Sequence, residues 1–285
     1  MDTRIFHLHA LSALHVGVGQ AVGVVDLPIM RARSSNLPIV PGSAIKGVLR
    51  DEFTDPNKQK TLFGPDNIKN NENAHAGAIA LGDAHLLILP VRALAGVVAF
   101  VTCPFVLSRY AMDMGRAGIE GIPASITVGP DGCLVTANAV CKVNDHKVVL
   151  EDLDLTPAPG ADAWATAIAA SIHAEEEWQK LFSERFVIVA DDVFSFLADT
   201  ATEVRARIRI NDERGTVERG ALWYEENLPA ESVLWGVCAF DPARDGSGES
   251  KELIAATFVE GIGKDKTIQI GGKATVGRGL VRFLI

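Results

Sequence analysis

Apolar and polar positions along the chain change period several times, and each change predicts an element. Residues 3–10 alternate and predict an edge-compatible strand. From Ser43 to about Phe53, Ile45, Val48, Leu49 and Phe53 recur at helical spacing. Pro41 and Gly42 lie just outside that predicted helix, and Ser43 is its expected N-cap. Residues 54–76 are polar and asparagine-rich, which predicts a long loop with one apolar island, Thr61-Leu62-Phe63-Gly64. Strands are expected near 78–90 and 96–107, then a short helix over 108–118. Glycine and proline punctuate 119–160 and give no clear period there. Trp164, Ile168 and Ile172, spaced by four, predict a helix from about 161 to 182, and 186–189 reads as a strand.

The clearest two-residue period lies further on. Val204, Ala206, Ile208 and Ile210 alternate with Arg205, Arg207 and Arg209. This is a strand with one apolar and one basic face; 211–215 is its turn, and Thr216 to Tyr224 returns as its partner. A strand at 233–240, a loop at 241–250, a helix near 251–260 and short strands at 267–270 and 280–285 complete the chain. Strands and helices mix without a strict βαβα rhythm, so the fold class is α+β. Neither an internal repeat nor an interdomain linker is visible, and residues 1–285 are expected to form one domain.

Composition changes this picture little; charge changes it more. The hydrophobic content of 48% over 285 residues is that of an ordinary globular protein. Neither a membrane-length apolar run nor a signal peptide is apparent, so a cytoplasmic protein is expected. Cys103, Cys133, Cys141 and Cys238 form no CxxC pair and read as reduced, buried thiols. The net charge of −9 argues at first against a nucleic-acid partner. However, residues 151–203 hold twelve acids and two bases, whereas 1–60 are net +2 and 264–282 net +4. Such segregation permits a basic face, and local potential decides where a phosphate chain lies.

Known chemical motifs are mostly excluded. Gly17, Gly19 and Gly23 have the wrong spacing for a dinucleotide loop, and no helix follows. Walker, GxSxG and HExxH patterns are missing from the sequence. Ambiguous features remain. The helix opening at Ser43 could hold a phosphate on its free N–H groups, with Lys46 and Arg50 one and two turns in, or could be a solvated face. Residues 271–279, with Gly271, Gly272, Lys273 and Arg278, could approach a phosphate closely or simply form a tight turn. Asp26 could be a turn former before Pro28 or a functional carboxylate, and His15 could be structural or functional. The arginine-striped hairpin could wedge between bases or be a charge-guarded sheet edge.

Several of these residues together carry a resemblance. Leu14-His15-Val16-Gly17, Val24-Val25-Asp26-Leu27-Pro28-Ile29, Leu37 to Ser43, and Lys46-Gly47-Val48-Leu49-Arg50 look like the RAMP superfamily of CRISPR proteins. The glycine-rich stretch 271–279 is similar to that superfamily's C-terminal loop. Val24 to Pro28, Leu62-Phe63-Gly64, residues 90–110 and Arg207 to Glu226 resemble more closely the backbone subunits of type III-B (Cmr) effector complexes. Nothing matches over roughly 119–200.

This resemblance implies an RRM-like (ferredoxin-like) core with insertions near 54–76 and 119–182 and a thumb-like hairpin at 204–224, with the 54–76 loop as a rival thumb. It implies copies stacked head to tail on a guide RNA with other Cmr subunits, each copy cutting single-stranded target RNA at regular intervals with a divalent cation, Mg²⁺ or Mn²⁺. Asp26 then matches the catalytic, metal-associated residue, and His15 and Glu226 (or its neighbour Glu225) match assisting positions. Ser43, Lys46, Arg50, Arg205, Arg207, Arg209, Gly271, Gly272, Lys273 and Arg278 would hold RNA. Three other readings stay open: a guide-RNA-binding scaffold without nuclease activity, a type III-A (Csm) backbone subunit, and a RAMP endonuclease acting alone on precursor transcripts.

Overall fold

The computed structural model describes residues 1–19, 25–65, 74–144, 146–211 and 215–285. In chain order its elements are β1 (Asp2–Ala10), β2 (Ile39–Val40), α1 (Gly42–Asp51), α2 (Pro56–Phe63), β3 (Ile79–Leu81), β4 (Ala84–Ala93), β5 (Val97–Thr102) and α3 (Pro104–Arg116). Next come β6 (Gly132–Val135), β7 (Lys142–Val143), β8 (Lys147–Leu150), β9 (Leu153–Pro159), α4 (Asp162–Ile172), α5 (Glu176–Ser183), β10 (Phe186–Val189) and α6 (Asp191–Thr200). The chain ends with β11 (Glu203–Asn211), β12 (Thr216–Asn227), β13 (Val233–Phe240), α7 (Lys251–Ile262), β14 (Asp265–Gln269) and β15 (Leu280–Leu284). It is a mixed α+β fold.

One large sheet carries the molecule, and β4 belongs to both of its halves. The first half runs β14–β15–β1–β13–β4, antiparallel throughout, with β3 added to β13 and β2 to β4. The second half leaves the end of β4 and runs β5–β10–β6–β9–β8. Ala93 of β4 then pairs with Leu150 of β8, so these six strands close into a barrel-like ring. Closure leaves fewer open edges, which suits the short strands of this half.

β1 is central rather than an edge strand, because β13 and β15 pair along its two edges; its two faces are covered as well. On one face Phe6 stacks on Phe283 at 5.3 Å, and Phe258 of α7 closes over Phe240 and Phe283. Gly236 lies opposite Phe6, and a Cβ there would come within 2.3 Å of the ring. On the other face His7 Nε2 bonds the Tyr110 hydroxyl of α3 at 2.8 Å. Trp235 Nε1 donates to Asp113 Oδ2 of the same helix at 3.2 Å. Buried polar side chains are tolerated here because each finds a partner.

Several boundaries differ from the sequence expectation, each for a local reason. Helix α1 begins at Gly42, with Pro41 at the N-cap position and no side-chain cap. Asp83 supplies the acceptor instead, since the Gly42 N–H donates to its Oδ1 at 2.8 Å; Ser43 is exposed in the first turn. The predicted 54–76 loop contains α2, whose cap is Asp55 accepting from Asn57 and Lys58. Its apolar island is the last turn of that helix, with Leu62 and Phe63 buried. Residues 66–73 lie outside the described residues. The single helix expected over 161–182 is two, α4 and α5, broken at His173, which adopts extended backbone. The sequence reading missed α6 altogether.

The acidic excess has a structural outlet. Asp162, Glu176, Glu177, Asp191 and Asp192 occupy the first turns of α4, α5 and α6, where carboxylates complement the helix dipole. Asp191 also accepts the Phe105 N–H at 2.9 Å, at the start of α3. Among the described residues, no helix is long and apolar enough to cross a membrane.

Candidate functional site

At the end of β1 the chain leaves the sheet, and four irregular segments knit together. Leu11 and Ser12 donate to the Leu280 carbonyl, Leu14 bridges to Leu228, and Gly17 bridges to Ile29. Gly272 donates to the His15 carbonyl at 2.9 Å. Gly271 lies against that same carbonyl at φ +82°, and a Cβ there would approach the oxygen within 2.3 Å. Only glycine lets these two loops touch. Gln20 to Val24 lie outside the described residues.

Asp26 is fixed to the root of the β11–β12 hairpin through both backbone groups of Tyr224. The Tyr224 N–H donates to Asp26 Oδ2 at 2.8 Å, and the Leu27 N–H donates to the Tyr224 carbonyl at 3.1 Å. The Asp26 side chain stays exposed and lines a depression of about 530 Å³. Lys273, Trp223, Leu222 and Arg209 share that depression.

Consecutive glutamates on β12 point to opposite faces, and their surroundings separate them. Glu225 is 1% exposed. Its Oε1 accepts from Trp223 Nε1 at 2.8 Å and pairs with Lys273 Nζ at 3.0 Å, and its Oε2 accepts from Arg207 Nε at 3.2 Å. Burial pushes this carboxyl up, but the hydrogen bonds from Trp223, Lys273 and Arg207 outweigh it and hold it at about 2. Glu226 faces the other way. Its Oε1 pairs with Arg31 at 2.5 Å and accepts from Thr202 at 3.0 Å, while its Oε2 accepts the Ile29 N–H at 3.1 Å. Arg31 also reaches Asp199 and the Ala198 carbonyl, which ties this strand to α6. His15 is buried behind the loop, with Nδ1 bonded to the Glu226 carbonyl at 2.7 Å. It does not line the depression.

The hairpin pairs as its alternation predicts. Arg205 opposes Glu225 and Arg207 opposes Trp223 on one face; Ala206 opposes Tyr224, Ile208 opposes Leu222 and Ile210 opposes Val217 on the other. The apolar face is not covered: Ile208, Ile210, Val217 and Leu222 are all at least half exposed. The basic face is partly neutralised, since Arg205 pairs with Glu203, Arg207 with Glu225 and Arg209 with Glu218. Arg278 sits against this root, buried, and its Nε has no partner among the described residues. Burial first, then the charges of Arg205 and Arg207, push its guanidinium down from the ordinary arginine value.

Ser43, Lys46 and Arg50 are not brought to this depression. Lys46 lines another, of about 600 Å³, together with Met1, His75, Asp241 and Arg244. Met1 precedes β1 and the Asp26 site follows it, so the two depressions flank opposite ends of that strand. Arg50 donates to the Gly64 carbonyl at 2.8 Å and braces the end of α2. Sequence reasoning missed Arg31, for which spacing gives no signal, and Trp223. The alternation that placed Arg205 and Arg207 on one face, carried into β12, puts Trp223 and Glu225 on it too.

No group of three or more His, Cys, Asp or Glu that could hold a metal occurs among the described residues. Asp26 by itself offers one carboxylate, and the Glu225 oxygens are already taken by cations and an indole. These residues do not make a resident metal cage.

Comparison with known proteins bears on the family and the fold. The sequence profile of the RAMP superfamily matches residues 7–282. The CRISPR system Cmr endoribonuclease Cmr4 of Pyrococcus furiosus is 36% identical over 294 aligned residues, covering 100% of this chain and 96% of that protein. The crystal structure of oligomeric Cmr4 from Pyrococcus furiosus superposes with a TM-score of 0.76 at 29% identity, covering 100% of this chain and 97% of the other. A chain of the cryo-EM structure of the type III-B Cmr-beta complex bound to cognate target RNA shares the fold, with a TM-score of 0.76 at 20% identity, covering 100% of this chain and 97% of the other. A match to the Csm3 endoribonuclease of Enterococcus italicus, 44% identical, spans only 46 residues, 15% of this chain and 22% of that protein. Matched along nearly its whole length by this profile and by a Cmr4 relative, the chain belongs to the RAMP superfamily.

Proposed function

We propose that this chain is the repeating backbone subunit of a type III-B CRISPR effector complex, stacked head to tail on a guide RNA in the cytoplasm, and that each copy cuts complementary target RNA beside its hairpin. The observation that carries the reading is Asp26, an exposed carboxylate pinned to the hairpin root by the Tyr224 N–H at 2.8 Å, in a depression it shares with Lys273. A pure RNA binder has no use for an acid beside phosphates. The full-length likeness to Cmr4, set against the 46 residues shared with Csm3, supports type III-B over type III-A.

The fold supports an RRM-like core. β15–β1–β13–β4 are antiparallel neighbours, α1 lies between β1 and β4 in the chain, and α7 lies between β13 and β15. That is the strand order and helix placement of a ferredoxin-like unit. The hairpin β11–β12 is a separate two-stranded ribbon outside the main sheet, as a thumb requires. Its exposed apolar face suits insertion between base steps, with arginines on the other face for phosphates. Such a ribbon also suits contact with a neighbouring copy.

The chemistry follows from RNA itself. The 2′-hydroxyl of the nucleotide before the cut attacks phosphorus, the O2′–P bond forms and the P–O5′ bond breaks. Asp26 accepts the 2′ proton, and the products carry a 2′,3′-cyclic phosphate and a 5′-hydroxyl. A divalent cation, Mg²⁺ or Mn²⁺, would enter with the RNA, held by Asp26 and phosphate oxygens, and would supply charge neutralisation. Glu225 rather than Glu226 serves the depression, because Glu226 anchors Arg31 and His15 orders the loop behind it. Lys46 lines the second depression and holds RNA phosphates there. Base pairing reads sequence and the protein reads backbone.

The test is cleavage of labelled target RNA by the guide-loaded complex, wild type beside Asp26→Asn, with Mg²⁺ and with EDTA. Regularly spaced cuts lost in both controls are expected. Tight target binding with no cuts in any lane would leave a scaffold role only.

A further inference from the structure

Lys273 is held more firmly than attraction of a phosphate chain requires. Its backbone lies in the left-handed region, at φ +68°, which is uncommon for a residue with a side chain. Its carbonyl accepts from both Val276 at 3.1 Å and Arg278 at 3.2 Å, which fixes the turn that imposes this conformation. Backbone held in such a region clusters at functional sites. The side chain is fixed as well. Its ammonium pairs at 3.0 Å with Glu225, whose side chain is 2% exposed against 36% for the lysine. Glu225 is itself locked by Trp223 and Arg207, so it cannot follow a moving lysine. An ammonium has three N–H donors, and this ion pair uses one of them. Two cations, Lys273 and Arg209, line the depression beside the one carboxylate of Asp26. Asp26, the proposed proton acceptor, lines the same depression as Lys273.

We propose that Lys273 is a catalytic residue of the RNA cleavage, touching a non-bridging oxygen of the scissile phosphate and offsetting the negative charge that builds there, and that Glu225 is its positioning residue. This rests on the reading of Asp26 given above. As O2′–P forms and P–O5′ breaks, the 2′ proton passes to Asp26 and the leaving 5′ oxygen takes a proton from water. Lys273 keeps its proton throughout. A fixed charge aimed where charge develops needs no reorganisation at the moment of reaction, whereas a free surface lysine would have to be ordered first.

The experiment is single-turnover cleavage by the guide-loaded complex at saturating labelled target, with target affinity measured in parallel. The variants are Lys273→Met, Lys273→Arg, Glu225→Gln, the Lys273→Met/Glu225→Gln double and Asp26→Asn. Lys273→Met should cut about 100-fold more slowly while binding target within about threefold of wild type. Lys273→Arg should recover to within about tenfold of wild type, and Glu225→Gln should lose about tenfold. The double variant should be no slower than Lys273→Met, because Glu225 acts through the lysine. Wild-type cleavage by Lys273→Met at saturation, a rate loss matched by lost target affinity, or penalties that multiply in the double variant would overturn the assignment. Should Glu225→Gln fail to assemble by mass, the Met and Arg variants of Lys273 decide the question alone. A wild-type complex that does not cut, or an Asp26→Asn complex that does, overturns the underlying reading as well, and is told apart because it shows in lanes where Lys273 is intact.

Discussion

Glu225 and Glu226 are chemically identical neighbours, and the strand's two-residue period gives them different tasks. Glu226 and Arg31 are both largely shielded from water, at 8% and 16% side-chain exposure. Arg31 would keep Asp199 at 3.1 Å but lose its shielded partner, so Glu226→Gln should cost about 1.5–3 kcal/mol of stability. Thermal or denaturant unfolding would show it, while assembled Glu226→Gln complex should still cut target; loss of cleavage at full stability would give Glu226 a catalytic role. His7 makes a pH prediction at the same scale. Burial lowers its pKa from 6.5 to about 4. Unfolded chains therefore take up a proton below about pH 6.5, and folded ones only below about 4. Stability should fall as pH drops through that window, by up to about 1.4 kcal/mol per unit from this residue. Burial shifts His85 and His173 in the same direction, so His7→Gln should flatten the fall in melting temperature between pH 7 and pH 5 without abolishing it. An unchanged slope would remove His7 from the account.

At the scale of elements, the β11–β12 ribbon is separable from the core. Among the described residues, apart from the Leu27 bridge at its root, it pairs only with itself, and most of its apolar face is exposed, so it adds little to the packing of the sheet. Ile208 faces Leu222 directly, which allows residues 209–221 to be replaced by a two-residue Asn-Gly turn without changing the register below. The shortened chain should melt within about 2 °C of wild type, since surface changes away from the core rarely move stability by more than about 0.5 kcal/mol. Cutting at regular spacing should be lost. Preserved spacing would move the thumb elsewhere, and the 54–76 segment is the next candidate. Gly236 shows the opposite case, an element that tolerates no addition. Its Cα lies against the Phe6 ring, so Gly236→Ala should destabilise by about 1–3 kcal/mol through overpacking.

For the whole molecule, two depressions flank opposite ends of β1, one with Asp26 and Lys273 and one with Lys46 and Arg244. A subunit that stacks along RNA must hand the strand from copy to copy, and two separated sites that each hold a lysine permit this. Mixing the chain with single-stranded RNAs of increasing length should give complexes whose mass rises in whole-subunit steps, read by light scattering. One copy per RNA at every length would instead favour an endonuclease that acts alone.

How much of this was open to sequence reasoning depends on the range of the interactions. Local periodicity determined the α+β class, the α1 and α7 helices, the hairpin with its arginines on one face, and β10. Each depends on side chains two to four positions apart, which the sequence displays directly. The resemblance of residues 14–50 to the RAMP superfamily, confirmed over residues 7–282, likewise needed no coordinates. Tertiary structure decided what local pattern cannot reach. It made β1 central, because β13 and β15, from the far end of the chain, pair along its two edges. It started α1 at Gly42, because the Asp83 carboxylate, 41 residues on, provides the cap. It also closed the barrel through Ala93 and Leu150 and told Glu225 from Glu226, because only the folded chain brings Lys273 to one and Arg31 to the other. Alternation fixes which residues share a face, but the choice of what that face meets belongs to contacts between segments far apart in sequence.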